Sequence, residues 1–502
     1  MFLSNVRLLL YGVNALCMTN LHLIDVNLCQ QENTSVVDYY PPQELEKVFD
    51  FDLAENGIGR KGILETIQGM LKYSVRSWNT KFIDKLYSGT DPIGVISELV
   101  LGVLNANNHV YHVSPVTTMM EVKTSQKMAE FVGFKDGCGI TCPGGSASNQ
   151  LAVITARNWK FPHIKMEGFR RGEVLTMFTS AHSHYSFEKA AIMIGIGMNN
   201  LISVPCTNEG VMIPEALEKC IQESISRGES PFFVNATAGT TVLGAFDPLR
   251  PIGAICRKYD LWFHIDGSWG GAVMFSEKLR YLIDGSELAD SYTINPHKML
   301  GIPLQCSYLL TKDPDVLRKF NSLNAGYLFH GEHYDLGDGT VGCGRRPDAV
   351  KMFLAWKYNG SQGFEARVDR GFELAQYMYL KLSETSRFRM VTKPVNLNVC
   401  FWYIPESLDL SLERSNAELF SNCLAQVTKE VHGDLRRSGK FMFDYAPMHH
   451  PKPLPIFFRI ITHPRLTCKD LNELIEEISK AGERLFSSFE EFEDDNVSVQ
   501  SR

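Results

Sequence analysis

Lys298 stands in the run SYTINPHKMLG (291–301), behind a strand-like stretch and directly after His297. A lysine so placed suits Schiff-base chemistry, because its amine must reach an aldehyde and sit where its pKa can fall. An isolated His-Lys pair reads more simply as a surface loop. Three upstream features change that reading. HIDGSWGG (264–271) puts Asp266 just past the apolar run LWFHI, and ligands of open α/β sheets sit at the carboxyl ends of strands. A carboxylate there can keep a pyridine nitrogen protonated and so make the ring an electron sink, although an Asp ahead of Gly and Ser also caps helices. CPGGSASN (142–149) is a glycine-rich turn ahead of the helical run QLAVITARNW, suited to a phosphate held by backbone N–H groups and a helix N-terminus, or simply to a cap. SAHSHYSFEKA (180–190) places His184 at a strand-to-helix junction, where an imidazole could stack on a flat ring or serve only the structure. Phosphate loop, stacking histidine, aspartate and lysine follow one another in a workable linear order.

The elements that must position these residues are short apolar runs alternating with helical segments. VLTMFTS (174–180), LISVPC (201–206), PFFVNAT (231–237), LWFHID (261–266) and CSYLLT (306–311) read as strands, with helices over 214–228 and 248–260 between them. Continuous apolar strands separated by helices predict a mainly parallel sheet buried on both faces. Beyond about residue 360, helical segments (364–386 and 469–487) flank strand-like stretches at 395–405 and 456–462, which predicts a smaller α+β unit. Residues 1–40 read as a helix and a polar connector stopped at Tyr40-Pro41-Pro42, and 43–80 as helical. The acidic tail after 488 reads as frayed.

At 502 residues the chain exceeds one ordinary core, so two or three units are expected. The formal net charge of −7 argues against a nucleic-acid partner. The twelve cysteines show no C-x-x-C pair and no metal-ligand spacing, so no metal is expected and the thiols read as reduced, in a cytoplasmic protein. The N-terminal apolar stretch is broken by Asn14, Thr19, Asn20 and His22. It is too short to span a bilayer and lacks a convincing cleavage site, so it reads as a packed helix rather than a signal peptide, with no stable membrane insertion.

These pieces, with NATAGTTVLGAFDP (235–248), NPHKMLGIPLQCS (295–307), NAGYLF (324–329), CGRRPD (343–348), NVCFWYIP (398–405) and FFR (457–459), make the chain resemble the group II decarboxylases that use pyridoxal 5'-phosphate. The likeness runs from about Thr34 to about residue 487 and is strongest to the acidic branch, the glutamate, cysteine sulfinate and aspartate decarboxylases. The resemblance implies an α/β fold of type I, with a seven-stranded-type sheet in a large domain, an N-terminal helical segment and a small C-terminal α+β domain. The boundaries fall at 1–115, 116–360 and 361–502, the first segment wrapping the partner of a homodimer. It implies that Lys298 carries the cofactor, Asp266 pairs with the pyridine nitrogen, and His184 stacks on the ring. Ser146, Ala147 and Ser148 would lie by the phosphate, His297 beside the lysine, and Thr237 and Thr240 near the cofactor. Arg459 would grip the substrate carboxylate, as a guanidinium fork can. Tyr334, in HGEHYDLGDGT (330–340), matches the loop tyrosine that protonates Cα after CO₂ leaves; Asp335 and Asp338 read as turn residues.

The chain also departs from the pattern. The loop carrying Tyr334 is about five residues shorter than in glutamate decarboxylases, and DAAWGG reads DGSWGG, placing Ser268 against the ring. In KFIDKLYSGTDP (81–92), which matches a substrate-contacting stretch over Lys85, Leu86, Tyr87 and Ser88, Lys85 stands where glutamine is usual. Tyr87-Ser88 resembles the cysteine sulfinate and aspartate enzymes, and His109 replaces an aromatic residue ahead of Tyr111. The expected order of substrates is therefore aspartate or cysteine sulfinate, then glutamate. A methylene separates some of these acids, worth about 1–3 kcal/mol. Two other readings are an aminotransferase or aldehyde-forming synthase on the same fold, and an inactive homologue that binds a partner. Tyr334 speaks against the oxidative route; Lys298, Asp266 and Arg459 speak against the inactive one.

Overall fold

The computed structural model describes residues 34–487 apart from 324, 328 and 330–333. The readings of residues 1–33 and of the tail therefore lie outside the described residues. Four helices come first: α1 (Pro42–Val48), α2 (Gly59–Tyr73), α3 (Pro92–Leu104) and α4 (Pro115–Phe131). The helical stretch expected over 43–80 is thus two helices separated by 49–58. Pro42 does not end a helix but opens α1 near its first position, where a missing N–H costs nothing. No residue of α1 or α2 is buried, and Val48, Ile58, Ile63 and Met70 are exposed.

A seven-stranded sheet follows, in the order β1-β7-β6-β5-β4-β2-β3. Its strands are β1 (Cys138–Cys142), β2 (Leu175–Ser180), β3 (Leu201–Val204), β4 (Ser230–Thr237), β5 (Trp262–Gly267), β6 (Ser291–Ile294) and β7 (Ser307–Thr311). β2 through β6 pair in parallel, while β7 runs antiparallel between β6 and β1. Every residue of β2, β5, β6 and β7 is buried, which is why these strands show no polar alternation. The crossovers run through α5 (Gly145–Lys160), α6 (Ser186–Met193), α7 (Pro214–Ser226) and α8 (Leu249–Lys258). This is the mainly parallel α/β sheet that the sequence predicts.

Helix α9 (Ala349–Leu382) leads out of the large sheet and breaks at Gly360, where φ is 65°. Beyond it a four-stranded antiparallel sheet is ordered β10-β11-β9-β8, from β8 (Phe388–Met390), β9 (Asn398–Tyr403), β10 (Asp444–Met448) and β11 (Leu454–Ile461). It is covered by α10 (Ala417–Ser438) and α11 (Cys468–Leu485). Side chains of Phe401, Val427, Val431, Phe458, Leu474 and Ile478 form its core, each contributing about 1.5–3 kcal/mol by burial. Helix α11 starts with a capping box of Thr467 and Asp470, which satisfies two orphan N–H groups. The ten described cysteines form no disulfide, and among the described residues no helix is long and apolar enough to cross a membrane.

Candidate active site

Strands β1, β2, β4, β5 and β6 all present their carboxyl ends to the same edge of the sheet, and a cavity of about 210 Å³ opens there. Gly145 and Ser146 enter it from the turn after β1, His184 and Tyr185 from the segment after β2, and Thr237, Gly239 and Thr241 from the end of β4. Asp266, Ser268 and Trp269 follow from β5, and Asn295, His297 and Lys298 from β6. One layer of strand ends thus gathers residues up to 153 positions apart, from Gly145 to Lys298, as parallel sheets with ligands at strand ends do.

Lys298 reaches the cavity wall from a turn closed by its own N–H to Asn295 O (2.9 Å) and by Gly301 N–H to Lys298 O (3.1 Å). Burial lowers its pKa, and the charge of Asp266 only partly opposes this, which brings the free nucleophilic amine within easier reach. For Asp266, burial would raise the pKa, but Ser268, His184 and Lys298 outweigh it and hold the carboxylate below its usual range. Its Oδ1 accepts from Ser268 N–H (3.0 Å) and its Oδ2 from Asn149 Nδ2 (2.9 Å). Burial also lowers the pKa of His184, leaving a neutral imidazole beside Tyr185 with ring centroids 4.3 Å apart. His297 is pushed down to about 4 by burial, and its Nδ1 lies 2.6 Å from Cys306 O.

The hydrogen bonds behind Asp266 have a fixed direction. Asn149 donates through Nδ2 to Asp266 and to Ser186 Oγ (3.0 Å), which leaves its carbonyl oxygen to accept from His264 Nε2 at 3.1 Å. Trp262 Nε1 donates to Ser291 Oγ (2.8 Å), and that hydroxyl faces His264 Nδ1 at 2.8 Å. Fully buried His264 is held neutral by desolvation. Neither Asn149 nor His264 was picked out from the sequence, yet both had a signal. Asn149 lies one helical turn beyond Gly145, and His264 lies on the same strand face as Asp266. Trp269, Asn295 and Thr241 also line the cavity without having been singled out.

Other expected site residues are placed differently. Ala147 faces a larger neighbouring cavity of about 530 Å³. Ser148 turns inward, 2.9 Å from Ser307 Oγ, which donates to Asn295 Oδ1. Thr240 accepts from Ala245 N–H within a turn, and its neighbour Thr241 is the residue that lines the cavity. Arg459, on β11, stands one residue away from the cavity: its Nη1 donates to Thr241 O (3.0 Å). Lys85 joins Arg459 through Asp444, which both contact at 2.7 Å. Leu86 is buried in the main core, and Tyr87 packs on Phe82 with centroids 5.3 Å apart. Ser88 and His109 do not line the cavity; His109 O accepts from Gly337 N–H (2.9 Å). Tyr334 packs on Tyr111 (5.9 Å) and lines a separate cavity with Gln126, Cys138 and Asp315. Asp335 and Asp338 are the turn residues expected: Asp335 accepts from Tyr111 N–H, and Asp338 from Ser322 Oγ. Among the described residues no cluster of His, Cys, Asp and Glu is arranged to hold a metal ion.

The donor set fits a phosphorylated pyridine aldehyde. Gly144 takes φ 92° ahead of α5, a conformation that favours glycine. A Cβ on Gly145 would lie 2.5 Å from Ser268 Oγ and 2.7 Å from Asn295 Nδ2, so a side chain there would collide with the cavity wall. An amine, an ionised carboxylate behind a hydrogen-bonded chain, a neutral ring and a helix N-terminus surround one space. Such a set fits an enzyme that works with a pyridine cofactor. The chain belongs to the pyridoxal-dependent decarboxylase family, whose conserved domain matches residues 42–404. It is 42% identical over 460 residues to an L-aspartate decarboxylase of Metarhizium robertsii, covering 90% of this chain and 88% of that protein. It is also similar to the crystal structure of mouse CSAD, with TM-score 0.89 and 35% identity over 94% of this chain and 99% of that one. A Rhodiola rosea 4-hydroxyphenylacetaldehyde synthase shares the fold, with TM-score 0.82 at 21% identity over 95% of this chain and 99% of that one. The protein is a carboxy-lyase that removes CO₂ from an amino acid with pyridoxal 5'-phosphate.

Proposed function

We propose that the substrate is an acidic L-amino acid, with L-aspartate (to β-alanine) or L-cysteine sulfinate (to hypotaurine) favoured and L-glutamate (to GABA) third. The observation that carries this is the buried guanidinium of Arg459, hydrogen-bonded to Thr241 in the cavity wall, with Lys85 drawn into the same ion cluster from the other end of the chain. The relatives, an L-aspartate decarboxylase and mouse CSAD, a cysteine sulfinic acid decarboxylase, support it. A CO₂-release panel with aspartate, cysteine sulfinate, glutamate and an aromatic amino acid tests it. The aromatic control should give the lowest kcat/KM, and a preference for it would overturn the reading.

Pyridoxal phosphate, when bound, supplies an aldehyde for an amine and a ring that accepts the electron pair left as CO₂ departs. In the roles we assign, Lys298 would be the amine that holds it, Gly145 and Ser146 at the N-terminus of α5 would take the phosphate, and His184 would cover the ring. Asp266 would keep the ring nitrogen protonated, its carboxylate fixed by Asn149, which His264 holds in turn. Thr237 and His297 complete the wall. Arg459 orients the acid, and a proton must then reach Cα rather than the cofactor.

Tyr334 is the proposed donor of that proton. In a single chain it and Lys298 line different cavities, so this role requires a rearrangement or a second copy. Tyr334→Phe should divert product from amine to aldehyde, with oxygen consumed; an unchanged amine yield would remove the assignment. Arg459→Ala should raise KM for every acidic substrate at least tenfold, about 1.4 kcal/mol or more, and unaltered kinetics would take Arg459 out of the site. We further propose a cytoplasmic homodimer with isologous symmetry, divided at 1–115, 116–360 and 361–502, in which the exposed apolar residues of α1 and α2 face the partner copy. Sedimentation velocity checks the dimer.

A further inference from the structure

Arg459 is not ready to take a carboxylate as it stands. Its side chain is 7% exposed, Nη2 donates to Asp444 Oδ2 at 2.7 Å, and Nε–H is buried without a partner. A carboxylate gripped along the side of a guanidinium needs Nε and Nη2 together. Asp444 holds one of these donors and leaves the other stranded. A buried unpaired donor is costly.

Asp444 is placed there by the sheet, directly opposite Arg459 in the β10–β11 ladder. The same Oδ2 accepts from Lys85 Nζ at 2.7 Å, and Lys85 also lies 3.2 Å from Asp84. Two cations and two carboxylates therefore meet beside the cavity wall with no net formal charge, in a protein of net charge −7. An acidic substrate meets no surplus of positive charge unless one internal carboxylate gives way.

We propose that Asp444 is an internal counter-ion which the substrate's carboxylate displaces from Arg459, and that Lys85 receives the displaced Asp444, so that this pair sets the affinity for acidic substrates. The proposal rests on the acidic-substrate reading above. The exchange is ionic, one carboxylate for another, and makes or breaks no covalent bond. Arg459 stays paired both before and after binding, which avoids the penalty of an uncompensated buried charge. In the bound state its Nε also gains an acceptor. Lys85 and Asp444 act through Arg459 and are positioning residues.

The holoenzyme tests this with a double-mutant cycle, read by calorimetry with succinate as an unreactive dicarboxylate and by KM for aspartate and cysteine sulfinate. Asp444→Asn removes the competitor and should tighten succinate and lower KM about tenfold, with most of the change in KM rather than kcat. Lys85→Met should weaken succinate about fivefold, because Asp444 then has only Arg459 to hold. That weakening should vanish in the Asp444→Asn background. Weaker succinate binding in Asp444→Asn, or a Lys85→Met effect that persists beside it, overturns the proposal while leaving the acidic-substrate reading intact. If Arg459→Ala leaves succinate binding and KM unchanged, the acidic-substrate reading falls and the proposal falls with it.

Discussion

Lys298→Ala is expected to give a folded protein with no measurable turnover. The side chain lies at a cavity wall rather than in the hydrophobic core, and its turn is held by backbone bonds from Lys298 N–H to Asn295 O and from Gly301 N–H to Lys298 O. Alanine keeps both, so the change in stability should stay within about 1 kcal/mol. Activity should fall by at least on the order of 10³, or about 4 kcal/mol of barrier, because no other lysine lines this cavity among the described residues. Steady-state CO₂ release together with a thermal melt checks both halves. Activity within tenfold of the parent protein would remove Lys298 from the chemistry.

Asp266→Asn should cost nearly as much by a different route. The carboxylate accepts on both oxygens, from Ser268 N–H and from Asn149 Nδ2. An asparagine has one acceptor, so whichever way it turns, its amide N–H group meets another donor. Leaving one such donor unmade costs about 1–3 kcal/mol of stability. The full negative charge that we propose would pair with the ring nitrogen is lost as well, and catalysis should fall about 10²–10³-fold, as on removal of one preorganised electrostatic partner. Cofactor affinity should weaken in parallel, measurable by titrating pyridoxal phosphate into cofactor-free protein. Asp266→Asn with unchanged cofactor affinity and turnover would show that this carboxylate does not face the ring.

Much of this architecture could be read in advance because strands buried on both faces carry uninterrupted apolar runs, and β2, β4, β5 and β7 stand out that way; β3, at the sheet edge with only Val204 buried, was legible from its apolar run alone. β1 escaped because Gly139 and Thr141 dilute a five-residue strand. β10 escaped because Asp444 and Pro447 look like turn residues until the partner strand is known. That Asp266 and Lys298 share one cavity was legible because each stands at or just past the end of a strand-like run in the sequence. Ala147, Ser148 and Thr240 could not be sorted from Ser146 and Thr241 by sequence, since a one-residue rotation in a turn decides which side chain meets the cavity. Asp444 carried no local signal, because its partners Lys85 and Arg459 meet it only through sheet pairing and the approach of residues 81–85 to the small domain. Residues that act through strand register stay invisible to spacing along the chain.

In the reading proposed above, the amine of Lys298 holds the cofactor. Borohydride reduction of the protein loaded with pyridoxal phosphate, followed by digestion and mass spectrometry, tests it most directly. A phosphopyridoxyl group on the peptide containing Lys298, absent from Lys298→Ala, is the predicted result. An unmodified Lys298 peptide, or label of equal extent on another lysine in both proteins, would contradict it.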